Sequence, residues 1–172
     1  MAGTRACLAG EPGLRRAWIS AGTVSAGRVG AVAALLAMDE ASRREIVEDA
    51  LRQLETHLRR RDVGGTVALF HQDGVAFGSE EHEHAVGADE LRAFLSRLFA
   101  RPHTYGWSGW EPLLTGGSDV LIWFVAPATV VVRIDQGGDE RAPYRLSGVL
   151  ERADDGRWLF RLFNGSEPSA SD

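Results

Sequence analysis

The densest run of ionisable side chains in the sequence is Glu80-Glu81-His82-Glu83-His84. In an extended segment, His82 and His84 lie on one side and Glu81 and Glu83 on the other, because side chains alternate with a period of two residues. Three interpretations stay open. Glu83 and His84 could form an acid/base pair at a pocket, the segment could be a polar rim that faces water, or the two histidines could supply half of a zinc site. A zinc site would need a third ligand such as His71 or His103, so we predict no metal.

Aromatic side chains form a second candidate group. In a strand beginning at His103, the side chains of His103, Tyr105 and Trp107 lie on one face, and Trp123 belongs to the next strand. Tyrosine and tryptophan can stack on a flat organic molecule while their polar tips form hydrogen bonds with it. We therefore predict Tyr105, Trp107 and Trp123 as ligand-binding residues. The alternative is that these aromatic residues only fill the core.

Polar residues interrupt the last two apolar segments at four positions: Arg145, Ser147, Asn164 and Ser166. A polar group that is buried without a partner costs about 1–3 kcal/mol, so such residues usually face water, pair with each other or contact a ligand. We predict Arg145 and Ser166 as ligand-binding residues. We predict that Asn164 donates a hydrogen bond to a developing oxyanion. The sequence has no nucleophile elbow, phosphate loop or dinucleotide fingerprint, so no cofactor is predicted.

These residues must be positioned by an α+β arrangement with helices first and strands later. Ser42 and Glu45 have the spacing of a capping box at the start of a first helix. Asp62 can cap a short second helix that continues to Phe70, and a third helix begins at Gly87 and stops before Pro102. A short strand is predicted between Gly74 and Gly78. Four β-rich segments follow the third helix: 103–114, 120–134, 141–152 and 157–166.

The strands are separated by turn clusters, which predicts a mostly antiparallel sheet. The clusters are Thr115-Gly116-Gly117-Ser118, Gln136-Gly137-Gly138-Asp139 and Asp154-Asp155-Gly156. Pro127 lies inside the second β-rich segment, where it should bend or divide the strand.

Composition indicates one globular domain. The chain has 172 residues, of which 44% are hydrophobic and 25% charged, and its net charge is −5. From Met38 onward the balance is 15 Arg minus 23 acids, or −8. An acidic domain gains no affinity for nucleic acid from counterion release, so nucleic-acid binding is not expected. The sequence has no apolar segment of the ~18–20 residues that span a bilayer, and its single cysteine, Cys7, is typical of a reducing compartment. We predict a cytoplasmic protein that does not bind membranes.

Residues 1–37 differ in composition from the rest, with abundant small residues and Glu11 as the only acid. We interpret them as a disordered extension or as sequence upstream of the true start at Met38. A secretory signal or anchor is the less favoured alternative, because Arg28 interrupts the approach to a short apolar stretch. The predicted domain spans 39–168, and 169–172 form a tail.

From Asp62 to Pro168 the order of motifs resembles the SnoaL-like branch of the nuclear transport factor 2-like superfamily. The resemblance rests on Asp62-Val63-Gly64-Gly65-Thr66, the helix that starts at Gly87, Tyr144-Arg145-Leu146-Ser147-Gly148 and the closing stretch from Trp158 to Ser166. It implies a cone-shaped curved antiparallel β-sheet that wraps around a pocket and is closed by three N-terminal helices. It also implies a homodimer formed through the outer sheet face.

The resemblance supports Glu83 and His84 as candidates, because relatives often carry a Glu just before the third helix, near the pocket mouth. Their closing motif is often a Trp, a His six positions later and then a Ser. Here Trp158 and Ser166 fit this motif, but Asn164 occupies the His position. An amide cannot act as a general base near neutral pH, so chemistry that depends on a His at this position is in doubt.

Three functions fit these observations. The first is a cofactor-independent enzyme of the polyketide-cyclase or ketosteroid-isomerase type, which would move a proton next to a carbonyl group of a small molecule. The second is a non-catalytic module of the same fold that binds a ligand or supports dimerisation. The third is an interaction protein whose apolar interior is only core. The fold alone does not decide among them, because one fold hosts many activities.

Overall fold

A computed structural model of the chain describes residues 38–168. The predicted extension 1–37 and the tail 169–172 lie outside the described residues. Residues 38–168 contain three helices, as the sequence predicted: α1 (Glu40–Arg59), α2 (Val63–Ala68) and α3 (Gly87–Phe99). Within the described residues, none of the helices is both long and apolar enough to cross a membrane.

Side chains before each of the first two helices satisfy free backbone N–H groups at the helix start. The carboxylate of Asp39 accepts a hydrogen bond from the Ser42 N–H at 2.7 Å, so Asp39 is the cap of α1. The prediction of Ser42 as the capping residue was therefore wrong by one helical turn. The Asp62 cap was predicted correctly, because its carboxylate accepts from the Gly65 N–H at 2.8 Å.

In the described part of the chain, the sheet contains seven strands and is strongly curled. They are β1 (Phe70–Phe77), β2 (His84–Val86), β3 (His103–Ser108), β4 (Leu114–Gly117), β5 (Leu121–Ile134), β6 (Asp139–Arg152) and β7 (Trp158–Ser166). The strand order is β2-β1-β7-β6-β5-β3, and β4 also pairs with β5. All neighbouring pairs are antiparallel except β1 with β7, which is parallel. This is the predicted α+β cone, and the parallel pair makes its sheet mixed.

The structure differs from the sequence-based strand boundaries at several places. β1 begins at Phe70, four residues before the predicted Gly74, β2 was not predicted as a strand, and β3 ends at Ser108. The predicted turn that includes Thr115 and Gly116 lies largely within β4, which pairs with residues 122–125 of β5. Pro127 does not divide β5, which runs unbroken past it. Pro127 lies in the gap between the part of β5 that pairs with β4 and the part, from Thr129 onward, that pairs with β3. A missing N–H is tolerated most easily where a strand has a neighbour on one side only.

The core lies between α1, α3 and the inner face of the curled sheet. Helix α1 contributes an apolar stripe of buried residues: Val47, Ala50, Leu51, Leu54 and Leu58. In α3, Leu91 and Leu95 are buried, whereas Phe94 and Leu98 are only half-buried. The rings of Phe160 and Phe163 pack edge to face on the sheet side. The half-buried residues of α3 mark the place where the core opens into a cavity.

Candidate active site

A cavity lies between the helices and the inner sheet face. About 90 Å³ of it can be reached by the centre of a water molecule, which is enough room for several waters or a small organic group. Its walls are mainly aliphatic and aromatic, and all three helices and strands β1, β3, β5, β6 and β7 contribute residues. The polar side chains among these walls are those of Thr66, Glu83, Tyr105, Trp107 and Tyr144. A cavity with mostly apolar walls and a few converging polar groups is typical of a small-molecule site.

Glu83 brings a carboxylate to this cavity. Only 12% of its side chain is exposed. The loop between β1 and β2 is closed by two backbone hydrogen bonds: Glu83 N–H donates to the Glu80 carbonyl at 2.9 Å, and Gly78 N–H donates to the Glu83 carbonyl at 2.6 Å. A Cβ atom at residue 78 would lie 2.8 Å from the Cβ of Glu83 and would also contact its carboxylate. Glycine at position 78 therefore leaves the space that the Glu83 side chain occupies.

Arg101 links Glu83 to a tyrosine. Its Nη1 donates to Oε1 of Glu83 at 3.2 Å and to the Tyr105 hydroxyl at 3.3 Å. The pKa of Arg101 is raised above its ordinary value, chiefly by the hydrogen bond with Tyr105, and the charges of Glu83 and Glu80 act in the same direction. Nε2 of His103 lies 2.7 Å from the same Tyr105 hydroxyl. Glu83, Arg101, Tyr105 and His103 thus form one connected polar network at the edge of the cavity.

Tyr144 supplies a second phenol from β6. Its hydroxyl accepts a hydrogen bond from Oγ of Ser79 at 3.2 Å. Burial raises the pKa of Tyr144, so this phenol keeps its proton and can donate it to a ligand oxygen. A Cβ atom at residue 165 would lie 2.7 Å from the Tyr144 hydroxyl oxygen, so Gly165 on the neighbouring strand leaves room for the ring.

Tyr144 was missed by the sequence analysis, which singled out its neighbour Arg145. A signal was present in the two-residue period of β6. Tyr144 is an even number of residues from Leu146 and Leu150, so it lies on the same face of β6 as these two fully buried residues. This spacing indicates that Tyr144 faces inward and Arg145 outward.

The structure brings three of the eight predicted site residues to the cavity: Glu83, Tyr105 and Trp107. His84 is exposed at the start of β2 and lies beside Phe77, with ring centroids 6.4 Å apart. The expected pairing of Glu83 with His84 inside the cavity is therefore not observed, because consecutive residues point to opposite sides of an extended segment.

The other four predicted residues lie on the outer sheet face. Register places Arg145 opposite Ser166 and Asn164 opposite Ser147, and Nδ2 of Asn164 donates to Oγ of Ser147 at 3.2 Å. Trp123 is 45% exposed, and its ring lies over Gly116 of β4. The expected convergence of Trp123, Arg145, Asn164 and Ser166 on the cavity was wrong. On β6 and β7, the residues that line the cavity alternate along the strand with these predicted residues. An assignment that is off by one residue therefore turns a side chain to the opposite face of the sheet.

A metal site is not supported by the geometry. Among residues 38–168, no three His, Cys, Asp or Glu side chains are grouped so that they could hold an ion.

With this geometry known, the chain can be compared with characterised families. A family model for the SnoaL-like domain matches residues 47–166, which is well over half of the chain. The chain belongs to the SnoaL-like family. Curated protein sequences give no match. The family match covers α1 from its second turn to the end of β7, so it includes every wall of the cavity described above.

Solved structures share the fold of this SnoaL-like domain. ActVI-ORFA from Streptomyces coelicolor is 21% identical with a TM-score of 0.61, and the alignment covers 72% of this chain and 96% of that one. A ketosteroid isomerase-like protein from Erwinia carotovora atroseptica is 22% identical with a TM-score of 0.59, covering 73% and 96%. A nuclear transport factor 2-like superfamily protein from Salmonella enterica is 12% identical with a TM-score of 0.65, covering 78% and 96%. At these identities the similarity establishes the fold, and the chemistry must be argued from the site.

Proposed function

We propose that the protein is a cofactor-independent enzyme that moves a proton on the carbon next to a carbonyl group of a small, largely apolar molecule. The observation that carries this proposal is the mostly enclosed carboxylate of Glu83 in a cavity with mostly apolar walls. Removing a charge from water is costly, so an enclosed carboxylate is kept where it has a partner, here Arg101 at 3.2 Å, and a cavity that holds one is a candidate functional site.

Three of the polar groups on the cavity walls have a direct role in this reaction. The Glu83 carboxylate accepts the proton from carbon, and negative charge then develops on the carbonyl oxygen of the substrate. The hydroxyls of Tyr105 and Tyr144 are donors that can stabilise this oxygen, and such preorganised donors are worth about 3–4 kcal/mol each in transition-state stabilisation. Arg101 contacts both Glu83 and Tyr105, and His103 contacts Tyr105, so these residues hold the reacting groups in position.

Fold relatives support the same class of chemistry. One structural neighbour is described as ketosteroid isomerase-like, and isomerisation of that type requires proton transfer next to a carbonyl group. The competing proposal is a ligand-binding module with the same cavity and no turnover. The two are separated by whether a bound ketone exchanges protons.

Exchange can be measured without knowing the natural substrate. The bicyclic ketone 2-tetralone would be incubated with the protein in D₂O, and the loss of its carbonyl-adjacent proton signals would be followed by NMR. We expect exchange faster than in buffer, and we expect Glu83→Gln to reduce the protein-dependent rate by about 10²–10⁴-fold, the usual contribution of a positioned base. Glu81→Gln is the matched control, because Glu81 is exposed in the same loop and does not line the cavity.

The outcomes are distinct. If Glu83→Gln exchanges protons as fast as the wild type, Glu83 is not the base and the proposed mechanism is wrong. Binding of 2-tetralone with no accelerated exchange would favour the ligand-binding module.

We also propose that the protein forms a homodimer through the outer sheet face. Alternate residues of β5 expose large apolar side chains there: Leu121 is 40% exposed, Trp123 45% and Val125 46%. Val149 and Leu162 continue the same surface across β6 and β7, since Trp123 pairs with Val149 and Val149 with Leu162. A contiguous exposed apolar patch on a sheet is typical of an interface.

Sedimentation velocity tests the dimer. Trp123→Glu should convert a dimer into a monomer, because it would bury a charge in the interface. Ile134→Glu, at the other end of β5, should leave the dimer intact. A monomeric wild-type protein would refute the proposal.

A further inference from the structure

A second space lies beside the cavity and differs from it in charge. About 120 Å³ of this recess can be reached by the centre of a water molecule, and it is lined by His82, Glu83, Phe94, Arg97, Leu98 and Arg101. Three of these residues, Glu83, Phe94 and Leu98, also line the cavity. The recess and the cavity are therefore neighbours that share one wall.

The side chains that line the recess include two arginines and one acid within an acidic domain. Arg97 and Arg101 against Glu83 give this lining one net positive charge when His82 is neutral, and Glu80, 3.3 Å from His82, lies outside the lining. The chain from Met38 onward carries −8 (15 Arg minus 23 acids). Arg97 is exposed in the last turn of α3 and, within the described range 38–168, forms no ion pair. In Arg101, only Nη1 takes part in hydrogen bonds with described residues, which leaves its Nε and Nη2 donors free.

Two guanidinium groups at one recess suit an anionic oxygen group. Arginine presents donors in a fixed fork that matches a carboxylate, and hydrogen bonds between charged partners are about twice as strong as neutral ones. The first guanidinium is free and the second has free donors, so an anion can bind without breaking the bond between Arg101 and Glu83. The adjoining cavity is apolar, so it suits the ring system to which such an anion is attached.

From this arrangement we infer that the substrate or ligand is an aromatic or alicyclic carboxylate, whose carboxylate binds at Arg97 and Arg101 while its ring occupies the cavity. This inference rests on the proposed function, because it takes the cavity to be the ligand site. It adds the chemical class of the ligand and assigns Arg97, which does not line the cavity, as a specificity residue.

Calorimetric titration with two matched probes tests the inference. 1-Naphthylacetate and 1-naphthylacetamide have the same ring and nearly the same size, and they differ in charge. We expect the acid to bind at least about tenfold more tightly than the amide at neutral pH and moderate salt. Arg97→Gln should remove most of that preference without changing the affinity of the amide.

Arg92→Gln is the matched control. Arg92 is an exposed arginine of the same helix, five residues from Arg97 and so about 140° away around the helix axis. It does not line the recess. Its replacement changes the net charge equally, so an acid preference that falls equally in Arg92→Gln and Arg97→Gln would show a general charge effect and overturn the inference.

The other possible results of the titrations also test the inference. Equal affinities of acid and amide for the wild type would overturn the inference and leave the cavity as a ligand site. No binding of either probe would overturn both the inference and the cavity assignment. Sodium acetate distinguishes a free anion from the carboxylate of the ligand. If acetate at equal concentration abolishes the acid preference, the recess is a site for small free anions and the inference is wrong.

Discussion

The close approach between Gly78 and Glu83 gives a prediction that needs no substrate. A Cβ atom at residue 78 would lie 2.8 Å from the Cβ of Glu83, closer than such atoms approach in proteins. The backbone at residue 78 has no positive φ, so alanine can adopt its conformation and the contact is the only penalty. Gly78→Ala should therefore displace Glu83 or the loop that carries it.

The magnitude follows from two opposing effects. Replacing glycine by alanine stabilises a protein by about 0.4–1 kcal/mol through the unfolded chain when the site is compatible. Adding a methyl group where there is no room costs about 1–3 kcal/mol. Gly138→Ala provides the reference, because a Cβ atom there would meet nothing within 4 Å. The unfolded-state effect is common to both variants, so their difference in unfolding free energy should be the steric cost alone.

Urea denaturation and thermal melting measure this difference. Gly78→Ala should unfold with about 1–3 kcal/mol less free energy than Gly138→Ala, which is a melting temperature about 3–12 °C lower for a domain of this size. It should also bind 2-tetralone more weakly if Glu83 is displaced into the cavity. Equal stability and equal binding in the two alanine variants would refute the placement of Glu83 against Gly78.

Two further predictions concern Tyr144 and Asn164. The chain has only two tyrosines, and tyrosinate absorbance near 295 nm should show one of them ionising above the ordinary pKa, a step that Tyr144→Phe should remove. Burial raises the pKa of Tyr144 in the folded state. The stability that the protonated Tyr144 contributes is therefore complete below the unfolded pKa of about 10 and is lost as pH rises through the higher folded pKa. A single transition at the ordinary pKa for both phenols would contradict this prediction. Asn164→Leu should leave the affinity for 1-naphthylacetamide unchanged and cost at most about 1 kcal/mol of stability, the value of its one hydrogen bond to Ser147. Weaker binding in Asn164→Leu would show that this amide reaches the cavity.

The fold could be predicted well because its signals are local and repeated. The apolar stripe of α1, the glycine that starts α3 and the alternation along β5 each specify an element within about a dozen residues. The errors occurred where tertiary pairing overrides local preference. Thr115 and Gly116 have turn chemistry, yet they form a strand because β5 offers a partner. Pro127 disfavours a strand locally, but it lies where β5 has no second neighbour.

The site was harder to predict because it depends on which face of each strand turns inward. A polar residue in an apolar strand indicates that its side chain faces water, a polar partner or a ligand. The residue type alone does not show on which face of the sheet the side chain lies. On β7, the residues that face inward are determined by Arg161, which is an extra residue between the pairs Leu150–Phe160 and Val149–Leu162. Such a bulge resets the alternation, so that Phe160 and Phe163 both face inward although they are three residues apart. Counting in steps of two from Phe160 would place Asn164 in the cavity, whereas counting from Phe163 places it outside. The assignment of Asn164 therefore required the pairing of β6 with β7, which is a contact between distant parts of the chain. No bulge separates Tyr144 from Leu146 on β6. Their spacing of two residues was therefore sufficient to assign Tyr144 to the cavity.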